Sequence, residues 1–198
     1  QIYPDIAIIT SVGADHLDIY KDKSDLDLAF QQFASQVKEK GFLLVEESID
    51  FDFPVPHGGS RLTYSAKSKA DYFAENIRVQ DRRMIFDMKA LDIIPGINFE
   101  RDQNDISLGM PGSHNISNAV AASVVACYLG LSCDNVAAGL ATFKGINRRF
   151  DKHIDTEKMV YIDDYAHHPE EVSATIDATK QLYPLRELIV VFQPHLFS

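Results

Sequence analysis

The run Phe42-Leu43-Leu44-Val45 constrains this chain most. Four successive apolar residues without alternation suit a strand buried on both faces, and such strands belong to parallel sheets with helices on either side. The preceding segments agree. Ile6 to Ile9 is a second continuous run rich in β-branched residues, bounded by Pro4-Asp5 and Gly13. Between the two, Leu26, Ala29, Phe30, Phe33 and Val37 recur at helical spacing from Ser24 onward, and Gly41 supplies a stop. Strand, helix and strand make one parallel unit, which is scaffold rather than site.

From residue 48 to 110 the pattern shortens. Leu62 to Ser65, Tyr72 to Val79, Met84 to Ala90 and Ile106 to Met110 are alternating runs separated by turn residues, which predicts a smaller, mainly antiparallel sub-sheet. Gln80-Asp81-Arg82-Arg83 reads as a solvated hairpin tip, and His57 as an exposed side chain. Val120 to Leu131 is small and apolar on nearly all sides, a buried helix, and Asp134 to Phe143 is a second helix behind Ser132. Ile146 to Phe150 is a linker. Past it, a strand at Val160 to Ile162, a helix at Glu170 to Leu182 and a strand at Leu188 to Phe192 open a second α/β unit. The fold class is therefore α/β, a mostly parallel sheet with helices.

Composition narrows the function. The formal charge of -10, from 29 acids against 19 bases, argues against a nucleic-acid or anionic-membrane surface, because phosphate backbones need a basic footprint. The longest uncharged run, Ile106 to Cys133, is interrupted by Pro111, Gly112, His114 and Asn115, so it is no membrane span. Two cysteines, Cys127 and Cys133, read as buried thiols of a cytoplasmic protein. The chain opens on Gln1 and stops just past an expected strand, so it reads as a fragment of a larger unit.

Polar residues collect where the elements end. Val160 to Ile162 runs straight into Asp163-Asp164-Tyr165-Ala166-His167-His168-Pro169, and open α/β sheets place ligands at such strand ends. Asp-Asp at a strand end also serves as a turn and helix cap, so both readings stand. Ile6 to Ile9 leads into Asp15-His16-Leu17-Asp18, an imidazole among carboxylates that suits Mg²⁺ or a phosphate-bearing ligand. Gly109 to Ala119 places glycines and a proline before a helix N-terminus, where unpaired N–H groups favour anions and polar edges. There Asn115 and Asn118, three apart, can share a face and read a purine edge while His114 stacks on its ring. Capping by Ser113 or Asn115 is the other reading. Arg148 and Arg149 suit a polyphosphate, although adjacent side chains in an extended linker point opposite ways and one of them, Arg148, is then a surface ion pair. The same alternation points His167 and His168 apart. Gln193-Pro194-His195 is expected beside Asp164 to His168 at the same sheet edge.

In order, T-S-V-G-A-D-H-L-D (Thr10 to Asp18), G-S-H-N-I-S-N-A (Gly112 to Ala119), F-K-G-I-N-R-R-F (Phe143 to Phe150), D-D-Y-A-H-H-P (Asp163 to Pro169) and F-Q-P-H-L-F-S (Phe192 to Ser198) resemble the Mur ligase family. The resemblance implies that residues 1–147 are part of an ATP-binding central domain and 148–198 part of a Rossmann-like, amino-acid-binding C-terminal domain. It also implies an ATP-dependent amide ligase of peptidoglycan precursor synthesis, working in the cytoplasm with ATP and Mg²⁺. The motif set is most similar to that of members joining L-alanine to UDP-N-acetylmuramate through an acyl phosphate. By position His16 ligates the metal; His114, Asn115 and Asn118 hold adenine; Arg149 and Asp164 contact the nucleotide; and Tyr165, His167 and His195 lie near the substrates, with Arg149, Asp164 and His167 as the catalytic group.

The departures are also informative. No G-K-[ST] occurs, so the phosphate-cradling loop of these ligases is not in this sequence, Ser11 and Gly13 stand where many relatives carry Asn and Glu, and Leu196 replaces an arginine found in some. These residues alone are expected to be inactive. Relatives that attach a tripeptide share the Arg-Arg and Asp-Asp-aromatic-Ala-His-His-Pro elements, but Phe192-Gln193-Pro194-His195 favours alanine. A metal-dependent phosphohydrolase built on His16, Asp164, His167 and His168, which leaves the Gly-rich helix start and the Arg pair without a role, and a non-catalytic remnant are the readings from other classes.

Overall fold

The alternative to burying Phe42 to Val45 on one side only is realised by the sheet around it. The structure, a computed structural model, describes residues 2–12, 23–92, 94, 96–99 and 102–194. Six strands form a single sheet in sequence order: β1 (Ile6–Ile9), β2 (Phe42–Glu46), β3 (Ser60–Ser65), β4 (Tyr72–Gln80), β5 (Arg83–Ala90) and β6 (Gln103–Leu108). On one face of β2, Leu43 and Val45 pack with Ala7, Ile9 and Phe53 against Ala34 and Val37, at the end of helix α1 (Lys23–Ser35) and just past it. On the other, Phe42 and Leu44 join Leu62, Tyr64, Phe86, Val120 and Val124. Each fully buried side chain of this size contributes about 1.5–3 kcal/mol, and β2 has them on both faces.

The direction of pairing changes once. β1 to β4 run parallel, with Ile6 opposite Phe42 and Phe42 opposite Ser60, whereas β4, β5 and β6 are antiparallel. The antiparallel strands expected over residues 48–110 are thus continuous with the parallel ones, and β3 belongs to the parallel set. Its entry needs glycine: a Cβ on Gly59 would lie 2.1 Å from the Gly41 carbonyl oxygen. His57, in the turn just before, is exposed as expected.

Helix α2 (Ser113–Tyr128) covers the inner face of the sheet through Ile116, Ala119, Val120, Val124 and Cys127. It begins seven residues before the expected Val120, because Ile116 and Ala119 already continue its buried stripe. Ser123, also buried, is satisfied by donating its hydroxyl to the Ala119 carbonyl at 2.7 Å. Helix α3 (Cys133–Thr142) follows, with Ser132 accepting the Asn135 N–H as its cap. Cys127 and Cys133 are free and buried. No helix among the described residues is long and apolar enough to cross a membrane.

The C-terminal part is a separate two-stranded antiparallel sheet, β7 (Asp151–Asp155) and β8 (Val160–Asp163), covered by α4 (Pro169–Leu182). Phe150, Ala178, Leu182 and Tyr183 form its core with Val160 and Ile162. β7 was not foreseen, since it carries one apolar residue in five. The strand expected at Leu188 to Phe192 is absent. Ile189 and Val191 are 79% and 95% exposed, and a strand exists only where a neighbour completes its hydrogen bonds.

The hairpin tip is also not merely solvated. Asp81 and Arg82 take left-handed φ values of 50° and 60°, as a two-residue hairpin turn requires. Arg82 then reaches Asp155 at 2.9 Å, while Arg83 bonds Ser107 and the Ala141 carbonyl. Asp155 also accepts from Lys152 and from the Tyr183 hydroxyl, both at 3.4 Å, so one carboxylate ties the large sheet to the C-terminal unit. Burial, then the Asp155 charge, pushes the Tyr183 phenol up. Arg82→Ala and Asp155→Ala, singly and combined, should show a coupling of about 0.5 kcal/mol in urea unfolding, shrinking in 1 M NaCl as a half-exposed pair does.

Candidate functional site

The first wall of the site is the start of α2. Gly112 has φ 98°, and a Cβ there would lie 2.7 Å from the His114 ring, so glycine lets the imidazole fold back over the helix start. Asn115 donates its side-chain amide to the Pro111 carbonyl at 2.7 Å, which fixes the loop. The N-cap, Gly112, has no side chain to cap the helix; the Asn115 N–H bonds the Gly112 carbonyl at 3.1 Å, and earlier N–H groups of the first turn suit an anion or polar edge. Asn118 is exposed one turn further along.

The second wall is built by two carboxylates that gather backbone. Asp164 accepts the Phe150 N–H and the Ala166 N–H, both at 2.8 Å, and Tyr165 N–H bonds the Arg148 carbonyl. These bonds hold Arg148 and Phe150 at left-handed φ values of 59° and 50°. The expectation that Arg148 and Arg149 point apart therefore fails. The segment is a turn, not an extended linker, and the two guanidiniums lie 4.9 and 5.8 Å from the Tyr165 ring centre. Both also have acid partners, Arg148 with Asp163 at 3.7 Å and Arg149 with Glu171 at 3.2 Å.

Glu171 is the second gathering carboxylate. It accepts the N–H groups of His167 at 3.2 Å and of His168 at 3.4 Å, closing the first turn of α4 behind Pro169. His167 and His168 do not point apart either; their ring centres are 4.1 Å from one another. Chain direction changes at His168, where the helix starts, so strand alternation does not apply. The His167 Nδ1 lies 3.0 Å from the Tyr165 carbonyl and 3.6 Å from Glu171. Burial alone would raise the Glu171 pKa, but the His167 N–H, the Arg149 guanidinium and the His168 N–H together hold it below the usual range.

The walls meet where a Cβ on Gly112 would lie 3.7 Å from the Ala178 side chain of α4. His114 is exposed, yet its pKa is lowered, first by desolvation; Asp164 and Glu171 pull it up, and Arg149 and Lys67 push it down. Those five groups come from three parts of the chain. The start of α2, which carries His114, Asn115 and Asn118, thus lies beside the unit that carries Arg149, Asp164, Tyr165 and His167, while His16 and His195 lie outside the described residues. Two members were not foreseen. Glu171 had a signal, its position three residues after a helix start opened by Pro169; Lys67, exposed after β3, had none. The arrangement, with helix N–H groups, amides and two cations, can bind an anionic ligand carrying a flat polar ring. A surface depression beside α1, lined by Leu28, Gln31, Gln32, Asp52 and Phe53, is open and holds none of these groups.

Comparison with known proteins places these features in company. A profile of the Mur ligase middle domain matches residues 1–126, and one of the Mur ligase glutamate ligase domain matches residues 148–195. A UDP-N-acetylmuramate--L-alanine ligase from Flavobacterium psychrophilum is 41% identical over 198 residues, covering 100% of this chain and 41% of its own length. The chain thus spans about two fifths of the curated relatives it matches. Among solved structures, UDP-N-acetylmuramate-alanine ligase MurC from Thermotoga maritima aligns with a TM-score of 0.78 at 24% identity, over 97% of this chain and 42% of that one. The MurF ligase of the same organism, solved with ADP, aligns at 0.71 and 20% identity, over 90% and 39%.

The electrostatics of the crevice can be read at His114. Removing the Arg149 charge as Arg149→Gln should raise the His114 pKa, because a cation no longer opposes protonation; Lys67→Gln should do the same. Imidazole NMR titration measures both shifts, and a fall in either variant would contradict the convergence.

Proposed function

The chain belongs to the Mur ligase family, and from that premise we propose that it forms part of an ATP-dependent ligase joining L-alanine to the carboxylate of UDP-N-acetylmuramate in peptidoglycan precursor synthesis. The observation that carries the reading is the approach of the α2 start at Gly112 to Ala178 of α4, which sets it beside the unit holding Arg149, Asp164 and His167. Residues 1–147 act as the ATP-binding part and residues 148–198 as the amino-acid-binding part; the separate sheets on either side of Arg148 support that division. Similarity to alanine ligases along the whole chain supports L-alanine as acceptor over a tripeptide. The reaction consumes ATP, which goes with a cytoplasmic location.

ATP, as co-substrate, phosphorylates the sugar carboxylate; the alanine amine attacks the acyl phosphate, and phosphate leaves. The protein's share is placement and charge. Asn118 reads the adenine edge with its exposed amide, Asn115 stiffens the loop beneath, and His114, its pKa lowered first by desolvation, stacks on the ring. Arg149, braced by Glu171 and Tyr165, presents its remaining N–H groups to phosphate oxygens. Asp164 spends one lone pair per oxygen on backbone and keeps others for the nucleotide. Tyr165, His167 and His195 are assigned to the substrates, as the family motifs imply.

Mg²⁺ is assigned to His16. Among the described residues, the group of three His, Cys, Asp or Glu side chains close enough to hold an ion is His167, His168 and Glu171. Two imidazoles do not suit Mg²⁺, which takes an octahedron of oxygens, so no step runs through that group. Nor does it include Asp164, as the phosphohydrolase reading needs.

In the intact enzyme, turnover with L-alanine should exceed that with a tripeptide; the reverse preference would replace this acceptor. Asn118→Ala should raise the KM for ATP more than that for L-alanine, and equal effects on both would remove it from the adenine site. His16→Ala should shift activity to higher Mg²⁺, whereas an unchanged metal titration would exclude His16 as a ligand.

A further inference from the structure

We infer that His167, His168 and Glu171 form a binding site for a borderline-soft divalent cation of the Zn²⁺ or Co²⁺ class, at the first turn of α4 and distinct in chemistry from any Mg²⁺ site. One donor atom from each residue lies within 4.8 Å of the other two. Zinc bonds of about 2.0–2.2 Å draw such atoms to within about 3–4 Å, so closure takes side-chain movements of roughly 1 Å rather than refolding. The backbone under all three donors is already held, because Glu171 accepts the N–H groups of both histidines. The imidazoles share one space, with ring centres 4.1 Å apart. All three side chains are partly buried, which shields the site without closing it.

The donor set decides the class of ion. Two imidazole nitrogens and one carboxylate oxygen favour Zn²⁺, Co²⁺, Ni²⁺ or Cu²⁺, whereas Mg²⁺ retains water and carboxylates. Three protein ligands leave a coordination position open to solvent or an anion. Two features oppose binding. The α4 dipole presents its positive end here, worth about 0.3–1 kcal/mol, and Arg149 already pairs with Glu171 at 3.2 Å. Metal and Arg149 therefore compete for one carboxylate, and the site is a reversible one.

The claim is read without ATP or amino acid, so it stands or falls independently of the ligase reading. Co²⁺ titrated into the full chain should develop visible d–d absorption with a one-equivalent break, and Zn²⁺ should bleach it. His168→Asn removes an imidazole but leaves a favoured helix-capping residue, so the fold, checked by circular dichroism, is retained. It should weaken Co²⁺ at least about tenfold, as should His167→Asn. His153, between Asp151 and Asp163 at 3.8 and 4.0 Å, is the natural decoy, and His153→Asn should leave the titration unchanged. Parent-like titrations of both His167→Asn and His168→Asn, loss of binding in His153→Asn, or displacement of Co²⁺ by equimolar Mg²⁺ would each overturn the assignment.

Discussion

Burial of β2 on both faces is the constraint on which the rest rests. A strand with Phe42 and Leu44 on one side and Leu43 and Val45 on the other must be central and must have cover above and below. The end of α1 covers one side and α2 the other. Because α2 lies over the inner face, its N-terminus comes to the sheet edge where β3 ends and Lys67 follows. The site's first wall is thus a consequence of where the core must be sealed.

The second wall is held by carboxylates acting on backbone. Asp164 fixes the turn at Arg148 to Phe150, and Glu171 fixes the turn at His167 to Pro169. Each of these acids looks from its type like a reacting group, yet its direct bonds are largely structural. Chemistry is left to the side chains they position: two guanidiniums beside Tyr165, and two imidazoles facing one space. Buried N–H groups demand acceptors, and a carboxylate meets two at once.

Much of this was legible beforehand. Continuous apolar runs marked β1 and β2, the helical stripe marked α1, and Ser132 and Pro169 marked helix starts. The clusters at Gly112 to Asn118 and Asp163 to His168 were visible as concentrations of polar groups at element ends. The misplaced side-chain directions share one cause. Arg148 with Arg149, and His167 with His168, were assigned directions by strand alternation, which holds only where the backbone is extended; left-handed φ values and a helix start cancel it. Leu188 to Phe192 has strand composition, but pairing is a property of neighbours, not of the segment.

The sequence by itself determined the buried central strands β1 and β2, the helices from α1 to α4, and the family to which the chain belongs, because periodicity and motif spacing are local. Only the tertiary structure decided that Arg82 meets Asp155, that Arg149 meets Glu171, and that His114 feels Asp164, Glu171 and Lys67 together. Those partners are separated by 73 and 22 residues in the first two cases. Which opposite charge a side chain finds at such separations depends on backbone turns: the left-handed Asp81-Arg82 hairpin for the first pair, and the turns that Asp164 and Glu171 hold through backbone N–H groups for the second.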